Sequence, residues 1–287
     1  MSQTNRTEVT TKSGVVYATH DGQELKATFY RPAGEGPFPV LVALHGGGWR
    51  QGSPTVYQHL GPWLAARGYA LLAPLYRSAK AGQPSYPLAV HDVRAAVQFI
   101  KGEAAAFGVD PARVALMGES AGGHLAALTA LAGREPLFAD NAPQGRHSAI
   151  DASVKACIPI YGVFDLVQQW RHDLPVRLGD QGIVELFLGT TPARDRRICF
   201  DASPMSYAVE AKNKTAFMVV WGTQDDVVDP ATQSIPFVEA LKQAGFFVRT
   251  AIVEGAPHYW AGDPIEEDGS HSAFFAHRLL RFLQTKL

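Results

Sequence analysis

The sequence is poor in cysteine. Only Cys157 and Cys199 occur in 287 residues. Two thiols set that far apart do not make the disulfide framework of a small secreted domain, and each is expected as a buried small hydrophobe. Long apolar runs are missing as well. No window approaches 18 apolar residues free of charge, so no transmembrane helix is expected. The segment from Met1 to Lys12 is polar and has no apolar core, so no signal peptide is expected and the predicted location is cytoplasmic. Charge of one sign is also lacking. With 26 basic and 27 acidic residues, a formal net charge of −1 and no basic run, neither a nucleic-acid partner nor a charged tail is expected. The histidines and acids show no metal-ligand spacing such as His-Glu-x-x-His, so no metal and no cofactor are expected. There is no internal repeat and no low-complexity linker. What is present is 46% hydrophobic residues, enough for a large core.

Short apolar runs recur at Val15–Thr19, Leu25–Tyr30, Val40–Leu44, Tyr69–Ala73, Val114–Met117, Ala156–Tyr161, Ala216–Trp221 and Val248–Val253. From Val40–Leu44 onward, continuous runs of this length read as strands buried on both faces, and the first two, joined by a hairpin, are expected to be antiparallel. The Asp21-Gly22 pair predicts a hairpin between the first two. Helical patterns fall between the runs at Tyr57–Arg67, Leu88–Phe107, His124–Ala132, Pro230–Ala244 and Ser272–Gln284, with Gly68, Gly108 and Gly245 as stops. Alternation of this kind predicts an α/β fold: one domain over residues 1–287, with a mostly parallel eight-stranded sheet and helices on both faces. Residues 134–153 and 164–204 break the rhythm. They are expected as insertions forming a small cap.

Gly118-Glu119-Ser120-Ala121-Gly122 matches G-x-S-x-G. A serine on a sharp strand-to-helix turn needs small neighbours two residues away on each side. The context fits, because an apolar strand precedes the motif and an Ala/Leu helix follows. Ser120 is therefore the candidate nucleophile. His45-Gly46-Gly47-Gly48-Trp49 follows another buried strand, and consecutive glycines leave backbone N–H groups open to a developing oxyanion. His45 could be read as a base, but a structural role in the glycine loop is favoured. The acid and base follow the serine in chain order. Asp225 stands just past a strand end, with Asp226 as its rival. Asp229, before Pro230, reads as a helix N-cap. Of the histidines after Asp225, His277 lies on a helix face and His271 at a helix start. His258 lies past the last strand and is the candidate base. A Ser-His-Asp mechanism through an acyl-enzyme follows.

As a set, these motifs resemble the hormone-sensitive-lipase-like esterases of the α/β-hydrolase superfamily, closest to small acetyl-esterase and feruloyl-esterase-like members. The resemblance rests on His45-Gly46-Gly47-Gly48-Trp49, Gly118–Gly123, Gly222-x-x-Asp225-x-x-Val228 and Gly255-Ala256-x-His258, and covers the chain past its first dozen residues. It implies an α/β-hydrolase fold, carboxylesterase activity and oxyanion donors at the N–H groups of Gly47, Gly48 and Ala121. Leu75-Tyr76-Arg77 stands where the family often has Asp-Tyr-Arg, and Pro257 where glycine is common.

The expected partner is a small-molecule ester, with no membrane partner; a homo-oligomer is left open. Trp49, Tyr259, Trp260, Phe164, Trp170 and Phe187 are expected to wall a narrow apolar pocket suited to short-acyl or aromatic esters. An arylformamidase resembling kynurenine formamidase would use the same machinery. A non-catalytic receptor on the same fold would typically have lost a member of the Ser-His-Asp set, and all three are present.

Overall fold

The protein is described by a computed structural model covering residues 9–176, 182–210, 214–267 and 269–287. Its centre is one eight-stranded sheet made of β1 (Val9–His20), β2 (Gln23–Pro32), β3 (Phe38–Leu44), β4 (Ala70–Pro74), β5 (Val109–Glu119), β6 (Ala156–Ile160), β7 (Ala216–Gly222) and β8 (Val248–Val253). The order across the sheet is β1-β2-β4-β3-β5-β6-β7-β8. β2 pairs antiparallel with both β1 and β4, and every later pairing is parallel. Asp21 and Gly22 turn the first hairpin with φ of 51° and 77°, the two positive angles that a two-residue hairpin turn of the primed kind requires.

The apolar runs are continuous because the central strands are buried on both faces. Successive side chains point to opposite sides of a strand. Val40, Val42 and Leu44 of β3 enter one core, while Leu41 and Ala43 enter the other. Phe217, Val219 and Trp221 of β7 likewise oppose Ala216, Met218 and Val220. The helices are α1 (Leu60–Ala65), α2 (Leu88–Gly102), α3 (Ala104–Phe107), α4 (Ala121–Ala132), α5 (Pro136–Ala139), α6 (Leu166–Asp173), α7 (Ile183–Leu188), α8 (Arg196–Asp201), α9 (Ser234–Gln243) and α10 (His271–Lys286). Val93 and Val97 of α2, Leu125 and Leu128 of α4 and Phe237 and Leu241 of α9 cover the first face. Leu60 and Leu64 of α1 with Phe275, Leu279 and Leu283 of α10 cover the second.

Several predicted helices differ in extent. The one expected over Tyr57–Arg67 spans only Leu60–Ala65, and the one expected from His124 begins at Ala121. The one expected over Leu88–Phe107 divides at Glu103 into α2 and α3. The one expected from Pro230 begins only at Ser234. Asp229 is therefore not its N-cap: its Oδ1 accepts the N–H of Ala231 at 2.9 Å and closes the turn before the helix. The segment 134–153 packs against α2, where Gln98 donates to the carbonyls of Ser148 and Ile150. The described part of 164–204 holds α6, α7 and α8, and Leu166, Val184, Phe187 and Cys199 join the core of the first face. Residues 177–181 of that stretch lie outside the described residues.

Candidate active site

Parallel strands put their carboxyl ends on one edge of the sheet, and loops beyond that edge meet. The glycine loop follows β3, Ser120 follows β5, Asp225 follows β7 and His258 follows β8. Ser120 makes the turn from β5 into α4 with φ 54° and ψ −119°, a region that residues other than glycine seldom occupy. Its N–H donates to Ile160 O at 2.9 Å. The flanking glycines are required by close approach. A Cβ on Gly122 would run into the carbonyls of Leu44 and His45, and one on Gly118 into that of Gly122.

The three side chains selected from the sequence come together. His258 Nε2 lies 3.0 Å from Ser120 Oγ, and His258 Nδ1 lies 2.7 Å from Asp225 Oδ2. Asp225 Oδ1 accepts the N–H groups of Val227 at 3.1 Å and Val228 at 2.9 Å, which fixes the carboxylate. Ser120, Asp225 and His258 are all buried. Asp226 is exposed and takes part through its backbone, whose carbonyl accepts from His172 Nε2. His271 begins α10, and His277 meets the face of Trp63 from that helix.

The glycine loop is held from below. Tyr57 donates to Leu44 O and Tyr76 to His45 O, both at 2.8 Å. His45 donates from Nδ1 to Gly46 O and stacks on Tyr76 with ring centres 4.3 Å apart. Burial, opposed by the Gly46 bond, lowers its pKa and so favours the neutral ring. Gly47 adopts φ 103°, which needs a glycine. Among the described residues, the N–H groups of Gly47, Gly48 and Ala121 donate to no protein acceptor.

Glu119 was not singled out by the sequence reading. It is buried beside the serine. Its carboxylate accepts the N–H of Gly46 and lies near the Tyr161 hydroxyl. Burial raises its pKa, and the Gly46 N–H and the nearby His258 pull the other way. The available signal was an acid on a strand otherwise buried on both faces, because such a group must find partners.

A cavity of about 170 Å³ opens at Ser120. Gly47, Gly48 and Ala121 border it, and Trp49 and Tyr259 line it as expected. The rest of its wall is Arg50, Gln51, Val163, Gln169, Ile183, Val227 and Val228. The other aromatic residues expected there are placed elsewhere. Trp260 turns into the second-face core, edge-on to Tyr161 and Phe275, because Tyr259 at φ 67° reverses the chain. Phe164 stacks on Phe237 at 4.0 Å. Phe187 stacks behind Trp49 at 4.7 Å, and Trp170 ties α6 to α7 by donating to Glu185 Oε1 at 2.8 Å. A cleft of about 580 Å³ between α6 and α8 is larger but borders neither Ser120 nor the glycine loop.

Among the described residues, no group of three or more His, Cys, Asp or Glu side chains could hold a metal ion, and no helix is long and apolar enough to cross a membrane. Both cysteines are free and buried.

The chain is similar to esterase LipC of Mycobacterium tuberculosis (strain ATCC 25618 / H37Rv), at 32% identity over 86% of this chain and 58% of that protein. It thus spans little more than half of that relative. It is 29% identical to ethyl acetate hydrolase of Pseudomonas putida, over 89% of this chain and 78% of that protein. In structure it resembles the Thermogutta terrifontis esterase 2, with a TM-score of 0.76 and 26% identity over 99% of this chain and 96% of the other. That esterase has been solved with propionate bound and phosphoramylated by tabun. The fold is that of the α/β-hydrolases. The sequence profile of the BD-FAE family matches residues 28–241, three quarters of the chain, and the protein belongs to that family.

Proposed function

We propose that this protein is a serine carboxylesterase acting on small carboxylic esters, with Ser120 as nucleophile, His258 as general base and Asp225 as the acid that orients it. The observation that carries the reading is the continuous relay from Asp225 Oδ2 through the His258 ring to Ser120 Oγ, at 2.7 and 3.0 Å, beneath unpaired N–H groups.

In this reading His258 Nε2 takes the serine proton as Oγ attacks the ester carbonyl carbon. Asp225 fixes the tautomer by accepting from Nδ1 and stabilises the imidazolium. The carbonyl oxygen becomes an oxyanion facing the N–H groups of Gly47, Gly48 and Ala121. Each such donor is typically worth about 3–4 kcal/mol in the transition state. The alcohol leaves with the proton from His258. Water then attacks the acyl-enzyme with His258 again as base, the acid departs, and Ser120 regains its proton.

The cavity at Ser120 favours a short acyl group. The ester names of the relatives, and the propionate bound to the Thermogutta enzyme, agree with it. Labelling with a fluorophosphonate probe, followed by peptide mapping, tests the assignment. The adduct is expected on Ser120; an unlabelled protein, or label on another serine, would overturn it. N-formylkynurenine beside 4-nitrophenyl acetate as substrate separates the formamidase alternative.

A further inference from the structure

We infer that Arg50 is a specificity-determining residue, whose guanidinium binds a carboxylate carried on the acyl part of the substrate, so that half-esters of short dicarboxylic acids are preferred. The inference deepens the esterase reading and rests on it.

Arg50 follows the glycine loop directly and belongs to the wall of the cavity at Ser120. Trp49 takes φ 57° and buries its ring completely, and the next side chain is sent outward: Arg50 is exposed. The Arg50 N–H donates to Gly47 O at 3.2 Å, as does that of Gln51. The base of the side chain is thereby fixed to the loop that carries the oxyanion donors. Its guanidinium is free. Among the described residues, no carboxylate, carbonyl or aromatic ring pairs with it, whereas Arg31, Arg77 and Arg113 are engaged with carbonyls or carboxylates. Its charge is felt within the site. Burial raises the pKa of the Tyr259 hydroxyl, Glu119 and Asp225 add to the rise, and Arg50 acts against it; Tyr259 lines the same cavity.

Arg50 is the one charged side chain among the described residues of that wall, whose deeper part, Val163, Ile183, Val227 and Val228, is aliphatic. The acids nearby do not satisfy it. Asp225 is committed to His258 and Glu119 to Gly46, and Asp226 is exposed outside the wall. The planar fork of an arginine matches a carboxylate through two parallel hydrogen bonds, and a few placed polar groups in an apolar pocket select its ligand. The acyl side is assigned by the two spaces that meet at the glycine loop. The enclosed cavity begins at the nucleophile that holds the acyl group, and Arg50 borders it. A more open cleft of about 500 Å³, bordered by His45, Glu119, Ser53 and Thr55, shares Gly47 and Tyr259 with it but not Arg50, and offers the departing alcohol a way out.

The test measures kcat and KM for ethanol release from ethyl butanoate, ethyl hydrogen succinate, ethyl hydrogen glutarate and the matching carboxamides, ethyl succinamate and ethyl glutaramate, with wild type, Arg50→Gln and Arg50→Glu. Carboxylate and carboxamide share a shape and differ in charge. Ratios between substrates do not depend on how much of a variant is folded. Wild type is expected to prefer one half-ester over its carboxamide by about tenfold in kcat/KM, mostly through KM, and the ratio is expected to shrink in about 0.5 M salt, which screens an exposed pair. Arg50→Gln is expected to bring the ratio to within about twofold of unity. Arg50→Glu is expected to reverse it and to make ethyl 4-(trimethylammonio)butanoate a better substrate than either half-ester. A wild-type ratio below about threefold for both pairs, or an unchanged ratio in Arg50→Gln, overturns the inference. So does an equal loss in Arg146→Gln, a cation of the segment 134–153, because then only net charge is sensed. A carboxylate preference confined to the alcohol, as in O-acetylglycolate against O-acetylglycolamide, overturns it too. If ethyl butanoate itself is not cleaved, the esterase reading fails first.

Discussion

His124, four residues after Ser120 on α4, couples the glycine loop to the segment after α8, and its removal gives a quantitative prediction. Trp49 Nε1 donates to His124 Nδ1 at 3.0 Å, and His124 Nε2 donates to Ala202 O at 2.8 Å. The ring is fully buried, and burial drives its pKa from 6.5 down to about 4, with the Ala202 bond opposing. In the unfolded chain the imidazole binds a proton below about pH 6.5, whereas in the folded protein it resists until about pH 4. The unfolded state thus holds more protons in that window, and stability falls as pH falls. His124 contributes fully above pH 6.5, and by pH 4.5 about 2.5 kcal/mol of that contribution is gone. His124→Leu deletes the titration. It also leaves the Trp49 N–H and the Ala202 carbonyl unpaired, at a cost of about 1–3 kcal/mol each. Urea unfolding at pH 7.5 and pH 4.5 measures both effects. The variant is expected to be less stable at pH 7.5 but to lose about 2.5 kcal/mol less than wild type on acidification. Taking the difference between the two proteins cancels the other titrating groups. Equal losses in wild type and variant, within about 0.5 kcal/mol, would refute the reasoning.

Ser120→Ala is expected to lower turnover of 4-nitrophenyl acetate by roughly a millionfold; a loss of less than about tenfold would end the nucleophile assignment. Glu119→Ala frees the Gly46 N–H inside the protein, so kcat should drop by about tenfold or more, and by less in Glu119→Gln, which keeps an acceptor. Stopped assays on both variants decide this, and equal rates would show that the anchor does not matter. Across nitrophenyl esters from acetyl to decanoyl, kcat/KM is expected to peak between acetyl and butyryl, because the cavity holds about 170 Å³. A maximum at octanoyl or beyond would show that the wall formed by Ile183 and Val227 opens.

The sheet was legible in the sequence because its central strands are buried on both faces, so the apolar runs are unbroken and their ends sharp. Ser120, Asp225 and His258 could be singled out for the proposed roles because chain order and strand ends restrict each role to a few positions. The choice between Asp225 and Asp226 came from strand-end placement alone. The structure gives its cause, since the N–H groups of Val227 and Val228 both converge on Asp225 Oδ1. The pocket wall was not legible to the same degree. Trp260 follows His258 directly, yet the positive φ at Tyr259 sends the two aromatic rings to different places: Tyr259 is 64% exposed and Trp260 2%. Phe164 and Phe187 were expected to face the substrate because they sit in the irregular stretch, and they are instead the means by which that stretch is fastened to the core.

Backbone strain gathers at the same place. Of the five non-glycine residues with positive φ among those described, Trp49, Ser120, Tyr161 and Tyr259 lie at the site, and only Asp21 lies elsewhere. Conformations of this kind cost about 1–3 kcal/mol each and persist only where the surroundings over-determine them. The surroundings here are specific. Trp49 is gripped by His124 and stacked on Phe187. The N–H of Ser120 is fixed by Ile160 O, and that of Tyr161 by Val220 O. The Tyr161 hydroxyl accepts from Ala261 N–H and lies near Glu119, which in turn holds Gly46. Trp49, Ser120 and Tyr161 are therefore each restrained by an element other than their own, namely α4, β6, β7 or the segment after His258. In the proposed esterase reading, this packing holds the nucleophile and the oxyanion donors in the geometry that the reaction needs. The converse also holds: loss of a support such as His124 should loosen the glycine loop and slow ester cleavage at denaturant concentrations where the sheet is still intact.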